Sequence, residues 1–454
     1  MKKNLIMLFL VFLVCSTVSM NEWTLMVYIA GDNDLDSVNF GSSYGSFFQQ
    51  NVDLILSEKN EKVNIVIFYD RWSGQWEYGT QNSWKPVLRP EYKKGAIIYT
   101  IKNEELIDIS EEFGIKTGDI MDCGDAKNLE KFIIKSMELF PAKRFHLDLS
   151  SHGAGIDGIS YDYSSRNNMS LGNKENNSLS EVIGKVYGNL SASILNKTGK
   201  KLDVISFDAC LMGMLEVNYE LSMHNVEYIV SSQQVIPGAG FPYDKMINGM
   251  HNKSNKTYVS NLTSDYSNLY YNMNGGQYGG FSLTSVEANK IQFDIALDKL
   301  GEVFDKLFIY FDKDLAPSSK GDIMKEFHNN IIMPIFKYPT KTRGNFIDII
   351  GLLNKIAEDS RFNRVVGNDL LTETISEIRK LIVSNDVTYR STSEFKNITN
   401  GMSIYFEPYK RTSTTSNANV LYENKLSNYS LSNTKYFNSI SKFHKLYFDI
   451  MERN

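Results

Sequence analysis

The sequence has 454 residues, enough for one large domain or two ordinary ones with substantial cores. Its 48 Lys and Arg against 53 Asp and Glu leave a formal net charge of −5, and 42% of residues are hydrophobic and 22% charged. That balance is ordinary for a globular protein and excludes the strongly basic face of a nucleic-acid binder.

The chain opens with Lys2 and Lys3, an apolar run from Leu5 to Val14, and the small-residue stretch "CSTVSM". A basic start, a short apolar core and a small-residue exit read as a secretory signal over residues 1–19, cleaved after Ser19. The run is shorter than the ~20 apolar residues needed to span a bilayer. Cys15 offers an alternative, a lipidated cysteine that would tie the protein to a membrane. The residues before it, Phe12, Leu13 and Val14, lack the small side chain such processing needs. No later segment is long and apolar enough to be transmembrane. After cleavage only Cys123 and Cys210 remain, too few for a disulfide framework, so either they pair or at least one is free.

Strand-like and helix-like patterns then alternate. "TLMVYIAG" (Thr24–Gly31), "VNIVIFYD" (Val63–Asp70) and "AIIYTI" (Ala96–Ile101) are continuous β-branched and aromatic runs of the kind that form strands buried on both faces. "RFHLDLSS" (Arg144–Ser151), "DVISFDA" (Asp203–Ala209) and "VEYIVSS" (Val226–Ser232) predict three more. Between them, 125–139 has apolar residues at helical spacing, with Asp125 as N-cap and Pro141 as stop, and Ser178–Leu195 and Leu211–His224 are further helix candidates. The alternation predicts an α/β sandwich on a mostly parallel sheet, with the core over 20–285. Residues 286–454 read as mainly helical and packed on that core, with one more strand in "GMSIYFEP" and a terminal helix. The stretch 162–177, "DYSSRNNMSLGNKENN", is the most loop-like of the chain.

Ligands bind beyond the carboxyl ends of strands in open parallel sheets, and three polar clusters fall there. "GDNDLD" follows the first strand, "SHGAG" the fourth and "DACLMG" the fifth. If the latter strands are neighbours, ~4.8 Å apart, His152 and Cys210 face one cleft. An imidazole can draw the proton from a thiol near neutral pH, and a helix opening at Cys210 would favour the thiolate by roughly 0.3–1 kcal/mol. Gly153 lets its backbone N–H approach a developing oxyanion, with the Cys210 N–H as second donor. These are the parts required for acyl transfer from a peptide bond.

"MVYIAGDNDLD", "FPAKRFHLDLSSHGAG", "VISFDACLMGMLEV", "SSQQVIPGAGFPYD" and "GMSIYFEP", in order over about residues 22–407, resemble the clostripain family of cysteine peptidases, of the caspase-like clan. In caspases the histidine precedes the cysteine by about 50 residues; here the separation is 58. The resemblance implies a caspase-like fold, His152 as general base and acid, Cys210 as nucleophile and Gly153 as oxyanion donor. It also implies Asp208 at the floor of the S1 pocket, and cleavage after Arg or Lys. Gln233 and Gln234 stand where many relatives carry an acid, which weakens the case for strict basic specificity. The resemblance further implies self-cleavage in the loop after the histidine strand, with Arg166 and Lys174 as candidate sites. Calcium dependence holds for some members. Asp32, Asp34 and Asp36 alternate as in an EF-hand loop, but Ser37 and Ser43 replace its turn glycine and closing glutamate, so no metal set is assigned.

Blander roles stand beside these. Asp208 could cap the following helix, Asp32, Asn33 and Asp34 could merely shape their loop, and Cys123 reads as structural, with a Cys123–Cys210 disulfide disfavoured. The expectation is an exported, monomeric, self-activating endopeptidase acting on proteins or peptides, with no required cofactor. The rivals are a catalytically silent surface or binding protein on the same fold, and an acyl transferase using the same pair.

Overall fold

The structure is a computed structural model that describes residues 20–36, 47–58, 62–72, 95–169, 178–189, 202–224, 226–273, 281–336, 346–388, 399–406 and 422–453. Its strands are β1 (Asn21–Gly31), β2 (Val63–Arg71), β3 (Gly95–Lys102), β4 (Glu105–Asp108), β5 (Ala142–Ser150), β6 (Ile159–Asp162), β7 (Asn167–Met169), β8 (Val204–Asp208), β9 (Tyr228–Ser231), β10 (Phe281–Glu287), β11 (Phe346–Asp348), β12 (Ile382–Thr388) and β13 (Ser403–Tyr405). Nine form one sheet in the order β12-β10-β9-β8-β5-β1-β2-β3-β4, and β6–β7 and β11–β13 form two small hairpin-like pairs. The five central strands β9, β8, β5, β1 and β2 are mutually parallel, while β3 and β10 run against them.

The alternation along β1 explains the layers. Successive side chains of a strand point to opposite faces. Trp23, Leu25, Val27 and Ile29 join one buried cluster, and Met26, Tyr28 and Ala30 the other. The first cluster is closed by helices Phe47–Leu56, Tyr243–Gly249 and Asn255–Met273; the second by Ala126–Leu139, Leu179–Asn189, Leu215–Ser222, Lys290–Ile309 and Lys435–Glu452. With both faces covered, the central strands carry buried apolar residues on both sides. Asp125 caps its helix by accepting from Lys127 N–H, and Phe140 ends it just before Pro141.

Three elements differ from the sequence reading. β3 is antiparallel to β2, which the continuous apolar run cannot reveal because burial on both faces looks alike in either direction. β10 runs across the 285/286 position at which the reading divides core from helical region, and β12 extends the same sheet. The helix after β8 begins at Leu215, not Leu211, because Leu211 adopts a left-handed φ of 65° and Met214 is the extended residue before the first turn. The signal segment 1–19, with Cys15, lies outside the described residues, as does Lys174. No helix among the described residues is long and apolar enough to cross a membrane.

Candidate active site

β5 and β8 are adjacent and parallel, with Ser150 opposite Asp208. The register delivers the two chain exits at the same height, so "SHGAG" and "DACLMG" leave the sheet side by side. Ser151 N–H donates to Asp208 C=O at 3.3 Å just beyond the last paired residues. A Cβ on Gly153 would come within 2.5 Å of the Cys210 carbonyl oxygen and 3.0 Å of the Ala209 Cβ. The glycine after the histidine is thus a packing requirement as well as a source of a close backbone amide. Gly153 also bridges Ile159 of β6 through a hydrogen bond from Ala154 N–H to Gly158 C=O, which anchors the loop from its far side.

His152, Gly153, Asp208 and Cys210 line one cavity of about 410 Å³. Its opposite wall is apolar backbone and side chain from Val235 to Gly238, with Leu35 and Phe48 contributing from the β1 side. Cys210 is partly exposed and Cys123 is buried, and no disulfide joins them. Cys210 Sγ lies 3.4 Å from the Ile236 N–H, which donates toward it. Since the next helix starts at Leu215, this amide, rather than a helix terminus at the cysteine, is a backbone dipole aimed at the sulfur.

His152 is held from behind. Its Nε2 lies 2.6 Å from Asp34 Oδ1, and Tyr163 O–H donates to the same oxygen at 2.8 Å with its ring stacked loosely on the imidazole. A carboxylate can only accept, so a neutral His152 carries its proton on Nε2 and presents Nδ1 as a base. Asn33 braces the loop by donating to the Ala30 and Tyr161 carbonyls. Sequence reasoning gave Asp34 a loop-shaping role and missed Tyr163. "GDNDLD" at a strand's carboxyl end was the available signal, but nothing local joins it to a histidine 118 residues away.

Asp208 is buried and lines the cavity. It accepts from Tyr243 O–H at 3.0 Å and from Phe241 N–H at 3.2 Å, and a Cβ on Gly240, whose φ is +68°, would strike its Oδ2 at 2.4 Å. It caps no helix. Tyr243 O–H also reaches Asp148 Oδ2 at 2.7 Å, and Ser206 O–H donates to Asp148 Oδ1 while contacting His146 Nε2 at 2.7 Å. Burial pushes both carboxyl groups up; for Asp208 the donors Phe241, Tyr243 and Ser150 pull back, while for Asp148 the neighbouring Asp208 charge pushes further. Two buried acids sharing one phenol favour a single negative charge between them. Sequence reasoning missed Asp148 and Tyr243.

Gln233 and Gln234 do not line the cavity. Gln233 donates to Asp348 Oδ2 and accepts from Gly401 N–H, tying the loop after β9 to the C-terminal region. Arg166 is exposed in the turn between β6 and β7. Asp34 serves His152 and Tyr163, whereas Asp36 accepts from Tyr69 O–H, Arg71 Nε and Trp72 N–H.

A large, mostly parallel sheet with a histidine and a cysteine on adjacent strand ends defines a caspase-like α/β sandwich. The sequence profile of the clostripain family, peptidase family C11, matches residues 27–443, and the chain belongs to that family. Clostripain of Hathewaya histolytica is 30% identical over 131 residues, covering 27% of this chain and 24% of that protein, so the match spans about a quarter of the relative's length. An inactive zymogen C11 protease from Parabacteroides distasonis superposes with a TM-score of 0.55 at 17% identity, over 85% of this chain and 92% of that one. A secreted C11 cysteine protease from Bacteroides thetaiotaomicron, solved with an irreversible peptide inhibitor, gives 0.53 at 16% identity over 92% and 99%. At such identities these structures speak for the fold alone.

Proposed function

We propose that the protein is an exported cysteine endopeptidase that hydrolyses peptide bonds after Arg or Lys. The observation that carries this reading is the Ser150–Asp208 register, which brings His152, Gly153, Asp208 and Cys210 to one cavity. His152 Nδ1 takes the Cys210 proton, and the thiolate attacks the scissile carbonyl carbon. The oxyanion is met by the Gly153 and Cys210 N–H groups. The tetrahedral species collapses to a thioester as the imidazolium protonates the departing amine. Water, deprotonated by His152, then releases the acid and restores the thiol.

The mostly apolar cavity, lined by the buried carboxyl of Asp208, suits a guanidinium or ammonium on an aliphatic stem. Arg166, exposed in its turn, supports self-cleavage between the β6 strand and the helix at Leu179, with Lys174 as the second candidate. Export rests on the signal-like residues 1–19, and mass spectrometry of the mature N-terminus tests it.

The decisive experiment is turnover of fluorogenic peptides with Arg, Lys or a neutral residue before the reporter, using wild type and Cys210→Ala. Cleavage confined to wild type and to basic peptides is expected. Equal rates in the two proteins, or none with any peptide, would leave the silent binding protein. Product that forms only when an amine is added would make the protein an acyl transferase.

A further inference from the structure

Behind the catalytic loops lies a second cluster that the peptidase reading does not use. Asp70 ends β2, Cys123 precedes the helix Ala126–Leu139, and Asp162 ends β6; their ligand atoms lie within 4.8 Å of one another and all three residues are buried. Asp162 is oriented by the Cys123 and Ser165 N–H groups, at 2.9 and 2.7 Å. Asp70, 1% exposed, has an Oδ2 that meets no hydrogen-bond donor, and the same is true of Asp32 Oδ1 on the neighbouring strand end.

A buried carboxylate oxygen without a donor loses its hydration and gains nothing in return.

We propose that Asp70, Cys123 and Asp162 bind a zinc ion. A thiol among carboxylates selects a borderline-soft cation over calcium, which takes six to eight oxygens. Bonds of about 2.0–2.3 Å require only a small closure of the three groups. The ion would replace the thiol proton, so binding releases it to solvent. It would also pin both partners of the histidine. Tyr163, next in line to Asp162, donates its N–H to Asp32 C=O at 2.8 Å and its O–H to Asp34, which holds His152. The effect on turnover rests on the peptidase reading; occupancy does not.

The test uses the full chain carrying Cys15→Ser and Cys210→Ala, which leaves Cys123 as its one thiol. After chelation, zinc chloride and calcium chloride are titrated separately by calorimetry, with metal content read by mass spectrometry. One zinc per chain is expected, with affinity lowered roughly tenfold or more by Cys123→Ser and by Asp70→Asn. Cobalt(II) replaces zinc on the chain without these two substitutions, where a thiolate-to-metal charge-transfer band is expected, so the assignment stands even if a variant fails to fold. Absence of stoichiometric zinc, equal or tighter calcium binding, zinc affinity unchanged in folded variants, or cobalt bound without the thiolate band would each overturn the site.

Discussion

His152 Nε2 lies 2.6 Å from Asp34 Oδ1, a contact made across 118 residues of chain at the carboxyl ends of β1 and β5. In the neutral imidazole it leaves Nδ1, not Nε2, as the nitrogen able to accept a proton. Asp34→Asn offers an amide that can present N–H to Nε2 and select the wrong tautomer. We expect kcat to fall on the order of 10²-fold with KM little changed, at the lower end of what positioned acid–base catalysis contributes. Tyr163→Phe removes one hydrogen bond to the same carboxylate and should lower kcat only about fivefold, for ~1 kcal/mol. Equal losses in the two variants, or none in Asp34→Asn, would deny Asp34 its positioning role.

Replacing the proposed nucleophile should be the largest change. Cys210→Ala should lower hydrolysis of basic peptides by roughly 10⁴-fold or more. On denaturing gels the wild type should appear in two pieces and Cys210→Ala in one. Arg166→Gln combined with Lys174→Gln should leave an intact chain even with the thiol present; continued cutting would place the processing site elsewhere.

Gly153→Ala is a small change with no room. Its methyl would sit 2.5 Å from the Cys210 carbonyl oxygen, a backbone atom that cannot swing aside. The two loops must part, which should cost about 1–3 kcal/mol of stability and misplace both oxyanion donors. Thermal melts and kcat measured together check this: a fully active, equally stable variant would mean the loops are not in register contact.

The Asp148–Asp208 pair makes a prediction about pH. In the folded chain both carboxyl groups titrate above their ordinary value of 3.8. Below that value both states hold the protons and the associated stability is fully present. As pH rises, the unfolded chain ionises first, so stability falls until the folded groups have lost their protons too. Melts of Cys210→Ala should therefore decline from acid toward neutral pH, and Asp148→Asn should flatten the decline. For substrates with Arg before the scissile bond, KM should fall over the same rise in pH as Asp208 gains its charge. A neutral residue there should show no such trend, and Asp208→Asn should erase the difference. A pH-independent preference would locate the recognising acid elsewhere.

Much of the site was legible in particular stretches. "RFHLDLSSHGAG" and "VISFDACLMG" each announce a buried strand that ends on chemistry, because a two-residue period and a following glycine are local properties of the chain. Asp125 capping its helix is legible for the same reason: donor and acceptor are two residues apart. The start of the helix after Cys210 was not, since the left-handed turn at Leu211 is imposed by Leu211 N–H donating to Gln234 C=O, a contact from another strand's loop.

The residues by themselves determined which groups could do chemistry and at which strand ends they would stand, because alternation, glycine and charge act over a few neighbouring positions. Which of those ends are adjacent, which carboxylate turns the histidine, and which acid shares a phenol with Asp208 were decided only when the sheet assembled. Pairings such as His152 with Asp34 and Asp148 with Tyr243 have no short-range trace, being set by strand order and register in a sheet whose buried faces look alike along the sequence.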